Sequence, residues 1–286
     1  MKLLRFGDAG AEKPGALDSD GRIRDLSSHV ADIGPEQLDD VSLATLAALD
    51  LKSLPAVPAS VRRGPPVSNI RKVVCIGLNY SDHAAESGLP VPEEPVIFMK
   101  ADTSVTGPND DVMIPLVSKK LDWEVELGVF IGKTASYIDE ANALDYVAGY
   151  SVVNDVSERG FQLEGTGQWT KGKSHDTFNP VGPELTTRDE IPDPQALDLW
   201  LDVDGERVQT GNTRLMIFTV AHIVSYLSRY MTLRPGDLIS TGTPPGVGMG
   251  FKPPRYLSAG QRMTLGIQGL GEISQTVVNH PAYGQV

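Results

Sequence analysis

The segment Trp123-Glu124-Val125-Glu126-Leu127-Gly128-Val129-Phe130-Ile131-Gly132 constrains this chain more than any other. Read as an extended strand, it places Trp123, Val125, Leu127, Val129 and Ile131 on one face and Glu124 and Glu126 on the other. An ordinary half-exposed strand shows the same alternation. Three details weigh against simple solvation. Like charges at i and i+2 gain nothing from each other, Glu is a poor strand former, and Gly128 and Phe130 share the face that water would have to wet. Two carboxylates about 6.5 to 7 Å apart along a strand lie within the span of one hard cation bound through oxygen at roughly 2.0 to 2.5 Å. Asp155, where the apolar run Tyr150-Ser151-Val152-Val153-Asn154 ends, would complete a three-carboxylate set.

At 286 residues and 40% hydrophobic, the chain can bury one large core, or one large and one small. No apolar run approaches the roughly 20 residues of a membrane span, and Met1-Lys2-Leu3-Leu4-Arg5-Phe6-Gly7-Asp8 lacks the apolar centre of a signal peptide, so a cytoplasmic protein with no membrane association is expected. The single cysteine, Cys75, sits in Val73-Val74-Cys75-Ile76-Gly77 and reads as a buried, inert thiol. A net charge of -12 argues against nucleic acid as a partner, because displacing phosphate counterions needs a basic face. An anionic substrate must therefore be received by local positive charge, either a metal ion or a few basic side chains.

Prolines and glycines in Leu54-Pro55-Ala56-Val57-Pro58 and Gly64-Pro65-Pro66-Val67 mark a boundary, which gives a small amino-terminal domain with its linker over 1–68 and a main domain over 69–286. Strand patterns dominate the main domain, at Val73–Ile76, Val96–Met99, Glu124–Ile131, Ala148–Val153, Leu199–Val203, Asp237–Ser240, Gln261–Ile267 and Gly271–Val278. Regular helices do not alternate with these strands, so the expected class is α+β, rich in β and of mixed sheets, rather than a doubly wound parallel sheet. One helix is clear over Val220–Met231, where Val220, Val224, Leu227 and Met231 recur at helical spacing and Arg234-Pro235-Gly236 is the expected stop.

Zinc is poorly supported, since there is no cysteine pair and the five histidines are scattered. An all-carboxylate set suits Mg²⁺, with Mn²⁺ or Ca²⁺ as alternatives. In Gly77-Leu78-Asn79-Tyr80-Ser81-Asp82-His83-Ala84-Ala85-Glu86-Ser87-Gly88-Leu89-Pro90, a short helix would bring His83 and Glu86 onto one face. Glu86 could orient the His83 imidazole so that it takes a proton from water, although a surface helix with a chance pair reads the same way. So short a helix has little stability of its own, and residues 79–92 are expected to behave as a lid. The polar stretch from Gly167 to Pro183 reads as a loop in which Lys173 could hold an anion or a developing oxyanion, with Lys171 in solvent. Ser240-Thr241-Gly242-Thr243-Pro244-Pro245-Gly246-Val247-Gly248 lacks the Gly-Lys-Ser/Thr ending of a phosphate loop, yet its hydroxyls and N–H groups could hold a carboxylate.

Taken in order, Gly77–Glu86, Phe98-Met99-Lys100, Asp122–Leu127, Asn154–Arg159, Lys173–Asp176 and Thr241–Gly248 resemble the fumarylacetoacetate hydrolase superfamily over about residues 70–280. The resemblance implies a mixed β-sandwich roll of the fumarylacetoacetase C-terminal type with a small amino-terminal domain. It also implies a homodimer, and Mg²⁺ held by Glu124, Glu126 and Asp155. The implied reaction is cleavage of the C3–C4 bond of a 2,4-dioxo acid of the acylpyruvate type, a small anionic 2-oxo acid. Within the family the chain is similar to bacterial enzymes of sugar-acid catabolism, for which 2,4-diketo-3-deoxy-L-rhamnonate would yield pyruvate and lactate. In this scheme His83, oriented by Glu86, deprotonates a water that attacks C4, and Lys173 steadies the oxyanion before pyruvate departs as its enolate. Lys100, Arg159 and Thr243 become expected substrate contacts, Arg159 because it would follow Asp155 by one turn if the chain coils there. Two other readings stay open: a decarboxylase of the oxaloacetate type or a tautomerase on the same scaffold, and a noncatalytic module holding a structural cation.

Overall fold

The computed structural model describes residues 1–82 and 91–282. Its centre is the strand Val125–Ile131, buried along its whole length and paired antiparallel with Val147–Asn154 on one side and Leu238–Ser240 on the other. From these neighbours one mixed sheet of 12 strands extends both ways. Beyond Val147–Asn154 come Asn179–Thr187, Lys2–Phe6, Lys13–Leu17, Ile23–Asp25 and Ala56–Val57; beyond Leu238–Ser240 come Val73–Gly77 and Val96–Lys100. A second, five-stranded sheet has the order Glu206–Asn212, Asp198–Val203, Arg262–Ile267, Gly271–Asn279, Val112–Ile114. The class is α+β and strand-rich, a mixed β-sandwich roll as expected.

The alternation of side chains divides two cores across the large sheet. Val125, Leu127, Val129 and Ile131 pack with Val74 and Ile76, with Leu199, Leu201, Met263 and Leu265 of the second sheet, and with Val220, Ile223, Val224 and Leu227. Those last four line one face of the helix Val220–Tyr230, which Thr219 caps through its side chain. The helix ends one residue earlier than its apolar spacing predicts. Met231 is already extended, so the chain leaves helical geometry before Arg234-Pro235-Gly236 could act as a stop.

The opposite face carries Val73, Cys75, Phe130, Val153, Val181 and Leu238, and it is covered by Leu3, Leu26, Ile33, Leu38 and Leu46 from the first fifty residues. This is why Gly128 and Phe130 can share a face with two carboxylates: the amino-terminal segment keeps it dry. Residues 1–68 are joined to the rest by hydrogen bonds as well, Lys2 and Leu3 pairing with Thr186 and Leu185. Among the described residues, no helix is long and apolar enough to cross a membrane.

Two stretches differ from their sequence pattern. The expected loop over Gly167–Pro183 contains a single helical turn, Thr170–Lys173, and then the first residues of the strand Asn179–Thr187. Pro180 and Pro183 lack an N–H, but that strand has a register shift opposite Tyr150 and Val152, and such irregularities are where prolines are tolerated. The strand Lys13–Leu17 carries Pro14 and Gly15, which masked it in the pattern.

Because Phe130 is fully buried under the amino-terminal segment, Phe130→Ala should lower the unfolding free energy by about 3 to 5 kcal/mol. Urea unfolding followed by circular dichroism measures this, and a loss below about 1 kcal/mol would mean that this face of the sheet is open to water.

Candidate metal centre

Antiparallel register assembles the site. Val125 lies opposite Asn154, and one step further along the Asp155 N–H donates to the Glu124 carbonyl at 2.9 Å. Asp155 is thereby set beside Glu124, while strand alternation carries Glu126 to the same side. All three carboxylates are buried, and they offer oxygens that lie within 4.8 Å of one another. His83 and Glu86 lie outside the described residues, as does most of the expected lid.

Three cations enter this cluster. Lys173 donates to Glu124 Oε2 at 2.8 Å and to Asp155 Oδ2 at 2.9 Å. Arg159 approaches Glu124 Oε1 at 2.7 Å and donates from Nε to Asp122 at 2.8 Å. Lys100 binds Asp155 and donates to the carbonyls of Val156 and Phe178 at 3.2 and 2.7 Å. Asp122 also accepts from the backbone N–H groups of Gly248 and Met249 at 2.6 and 3.0 Å, which ties the loop after Val247 to the site.

Glu126 is the exception. Its one recorded donor is the Gly242 N–H at 2.9 Å, and no cation among the described residues pairs with it. Gly242 can present that N–H because it has φ +98°, and a Cβ there would come within 2.7 Å of Asn79 Cβ. Asn79 in turn holds the turn in place, donating to the carbonyls of Thr241 and Phe218 and accepting from the Phe218 N–H.

The electrostatics follow from this pairing. Burial by itself would raise Glu124, but Lys173 and Arg159 outweigh it and hold its carboxyl down at about 2. Burial pushes Glu126 well above the usual carboxylate range, and the negative charges of Asp155 and Glu124 push it further; Lys173 and the Gly242 N–H offset this only in part. Lys173 is raised, since its two carboxylate partners overcome the burial that would discharge it. Four carboxylates, Asp122, Glu124, Glu126 and Asp155, thus face three cations. Hard oxygen donors, close approach and one uncompensated carboxylate fit a divalent ion of the Mg²⁺, Mn²⁺ or Ca²⁺ type.

Lys173, Arg159 and Thr243 line a cavity of about 540 Å³ together with Glu124 and Glu126. Lys100 does not: its side chain is fully buried and its ammonium is spent on Asp155 and two carbonyls, so it positions a carboxylate instead of meeting substrate. Arg159 reaches the site by another route than the expected helical turn. Ser157–Glu158 is extended, and the helix Arg159–Leu163 begins only afterwards. The Thr243 hydroxyl donates to the Val125 carbonyl and accepts from Gln209, which makes it a brace between strand and loop. Sequence reasoning passed over Gln162. It is buried in the cavity wall, and its side-chain oxygen accepts from Arg159 at 2.9 Å, leaving its amide nitrogen as the donor it can offer. The i,i+3 spacing from Arg159 was the available signal.

Glu126 has a sign consequence. Its raised folded-state value means that the fold disfavours the charged form, a penalty present above the ordinary value of 4.5 and absent below it. Metal-free Glu126→Gln should therefore be more stable than wild type at pH 7, by about 1 to 3 kcal/mol, while its Mn²⁺ affinity falls sharply. Glu124→Gln should lose both, because Lys173 and Arg159 each lose one of their carboxylate partners and keep only Asp155 and Asp122 respectively. Urea unfolding with chelator and Mn²⁺ calorimetry separate the two cases; a Glu126→Gln protein less stable than wild type would contradict the pairing scheme.

Residues 72–278 match the family model for the fumarylacetoacetate (FAA) hydrolase C-terminal region. A relative from Burkholderia multivorans that carries a provisional hydrolase name is 63% identical over 273 residues, covering 95% of this chain and 97% of its own. The solved maleylpyruvate hydrolase of Sphingobium sp. SYK-6, in complex with manganese(II) ion and pyruvate, is 30% identical with a TM-score of 0.83, covering 98% of this chain and 99% of its own. A 2-hydroxyhepta-2,4-diene-1,7-dioate isomerase from Mycobacterium marinum is 33% identical with a TM-score of 0.79, at the same coverage.

Proposed function

Since the chain belongs to the fumarylacetoacetate hydrolase family, we propose that it is a divalent-metal-dependent hydrolase that cleaves the C3–C4 bond of a 2,4-dioxo acid of the acylpyruvate type. The observation that carries this reading is the buried trio Glu124, Glu126 and Asp155 with one carboxylate uncompensated. Adding a divalent ion to four carboxylates and three cations leaves one positive charge in excess, which is what a substrate monocarboxylate needs in a chain whose overall charge of -12 repels it. Mg²⁺ is the proposed ion, with Mn²⁺, the metal of the Sphingobium structure, as the nearest substitute.

Glu124, Glu126 and Asp155 would hold the ion, whose chemistry when bound is that of a Lewis acid toward the substrate's 2-oxo and carboxylate oxygens. Lys173, charged and buried beside them, can donate to an oxyanion developing at C4. Gln162 can donate its amide N–H to the same end of the substrate, and Arg159 holds both Gln162 and Glu124 in place. In the proposed reaction His83, oriented by Glu86, removes a proton from the attacking water. The new C4–O bond forms, the C3–C4 bond breaks, its electron pair stays with the departing pyruvate, and a proton then returns to C3. On the same reading the enzyme is a cytoplasmic homodimer, an assembly that sedimentation velocity would measure.

The likeness to the M. marinum isomerase favours a second reading, tautomerisation or isomerisation of a related 2-oxo acid without bond cleavage. Pyruvate release separates the two. Chelator-treated protein supplied with Mg²⁺ or Mn²⁺ and a series of acylpyruvates and oxaloacetate should release pyruvate from the acylpyruvates, and chelator should abolish it. Proton rearrangement seen by NMR with no pyruvate would establish the isomerase instead. His83→Ala should lose hydrolysis by a factor of about 10² or more yet keep its metal affinity, whereas Asp155→Ala should lose both. Wild-type turnover in His83→Ala would remove His83 from the mechanism.

A further inference from the structure

Where the strand Val125–Ile131 begins, side-chain amides take over from the backbone ladder. The Glu124 N–H donates to Asn154 Oδ1 at 3.2 Å, and the Val125 N–H donates to Gln209 Oε1 at 3.0 Å. Asn154 Nδ2 in turn donates to Gln275 Oε1 at 2.9 Å, with Met263 Sδ as a second contact at 3.4 Å. Gln275 Nε2 donates to the Pro108 carbonyl at 2.6 Å. Asn154 and Gln275 are both fully buried, and Gln275 belongs to the second sheet, on the strand Gly271–Asn279. Three hydrogen bonds thus run in series from the backbone of a metal-site residue to a carbonyl in the loop before Val112–Ile114.

The series has one allowed polarity. An amide side chain offers an acceptor at one end and donors at the other, and its shape is nearly the same either way round. Here the two ends of the series are backbone groups that cannot reverse: the Glu124 N–H can only donate and the Pro108 carbonyl can only accept. Turning over either amide would set oxygen against oxygen or N–H against N–H in a place with no water to intervene. The far end is itself fixed. Asp110 closes the turn that carries Pro108, accepting from the Gly107 N–H at 2.8 Å and the Thr106 hydroxyl at 2.9 Å, and Arg62 from the amino-terminal segment donates to both its oxygens.

At the near end Asn154 acts on two of the three carboxylate residues at once. Its side chain holds the N–H of Glu124, and the next residue, Asp155, donates its own N–H to the Glu124 carbonyl at 2.9 Å. Both peptide groups of Glu124 are therefore tied to the Asn154-Asp155 backbone, which sets the separation at which the two carboxylates leave their strands.

We propose that Asn154 and Gln275 are positioning residues for the metal centre, a polarised pair of amides through which the second sheet fixes Glu124 relative to Asp155. Neither touches the ion or the substrate. The proposal rests on the reading that Glu124, Glu126 and Asp155 hold a divalent ion.

The test uses the full-length protein, with Mn²⁺ as the probe, calorimetry for affinity and high-field EPR for the geometry around the bound ion. Gln275→Met keeps the bulk of the side chain and removes both polar ends. It should bind Mn²⁺ about tenfold more weakly, the low end for a residue that acts through a ligand's support, and should change the zero-field splitting of the bound ion. Ile273→Val, a core substitution two residues along on the same strand face, controls for loss of packing and should keep wild-type affinity and spectrum. Asn154→Leu should lose at least as much as Gln275→Met, and the double variant should lose no more than Asn154→Leu alone, because the two amides act in series. Gln275→Asn, whose amide is too short to span both partners, gives the same reading if either apolar variant does not fold. Wild-type affinity and spectrum in the Gln275 variants, an equal loss in Ile273→Val, or losses that multiply in the double variant would each overturn the proposal. Failure of the wild-type protein to bind Mn²⁺ would instead overturn the metal centre, and the positioning role with it.

Discussion

The pairing of Val125–Ile131 with Val147–Asn154 is the constraint on which the rest of this protein depends. The bond from the Asp155 N–H to the Glu124 carbonyl continues that ladder by one step and brings the third carboxylate to the first two. A slip of one residue would turn Glu126 into the core that holds Val125 and Leu127, and would take Asp155 out of reach. The register is secured from both sides, since Leu238–Ser240 and Asn179–Thr187 flank the pair and every residue of both central strands is buried. The carboxylates therefore stand on or directly beside two fully buried strands, with the Gly242 turn bonded to Glu126.

Buried charge is costly, and the way it is distributed here separates scaffold from site. Asp122, Asp155 and Glu124 each have a cation against them, and Lys100 is enclosed by acceptors on every recorded contact. These pairs repay part of the cost of removing ions from water while orienting the groups around them. Among the described residues, Glu126 alone of the four is left with a single backbone donor. A group kept in an unfavourable state by an otherwise well-satisfied shell marks where the fold has given up stability for binding, and a hard cation is the ligand that would relieve it.

The backbone turn at Thr241–Gly242 joins the two halves of this arrangement. Thr241 and Thr243 bond to the carbonyls of Leu127 and Val125, and Gly242 between them turns its N–H to Glu126. Both hydroxyls are engaged in these bonds. Each fixes the loop to the strand, so that the glycine donor and the cavity wall keep their places relative to the carboxylates.

The sequence by itself determined what period and residue type can determine. Alternation in Trp123–Ile131 revealed the strand and put Glu124 and Glu126 on one side; oxygen-only donors pointed to a hard cation; the apolar spacing of Val220, Val224 and Leu227 marked the helix. What it left undetermined was long-range. Lys100 and Arg159 look alike in the chain as basic residues near a motif, yet one is sealed behind Asp155 and the other opens onto the cavity, because that difference depends on which carbonyls of Val156 and Phe178 lie nearby. The strand Asn179–Thr187 was hidden by its prolines and exists because a register shift in the sheet accommodates them. The dryness around Phe130 comes from Leu26, Leu38 and Leu46 folding across a sheet about a hundred residues away in sequence, and the raised state of Glu126 comes from its burial beside Asp155 and Glu124. Local pattern records which face a side chain takes, whereas burial and charge pairing are properties of what packs against that face, and only the tertiary structure decided them.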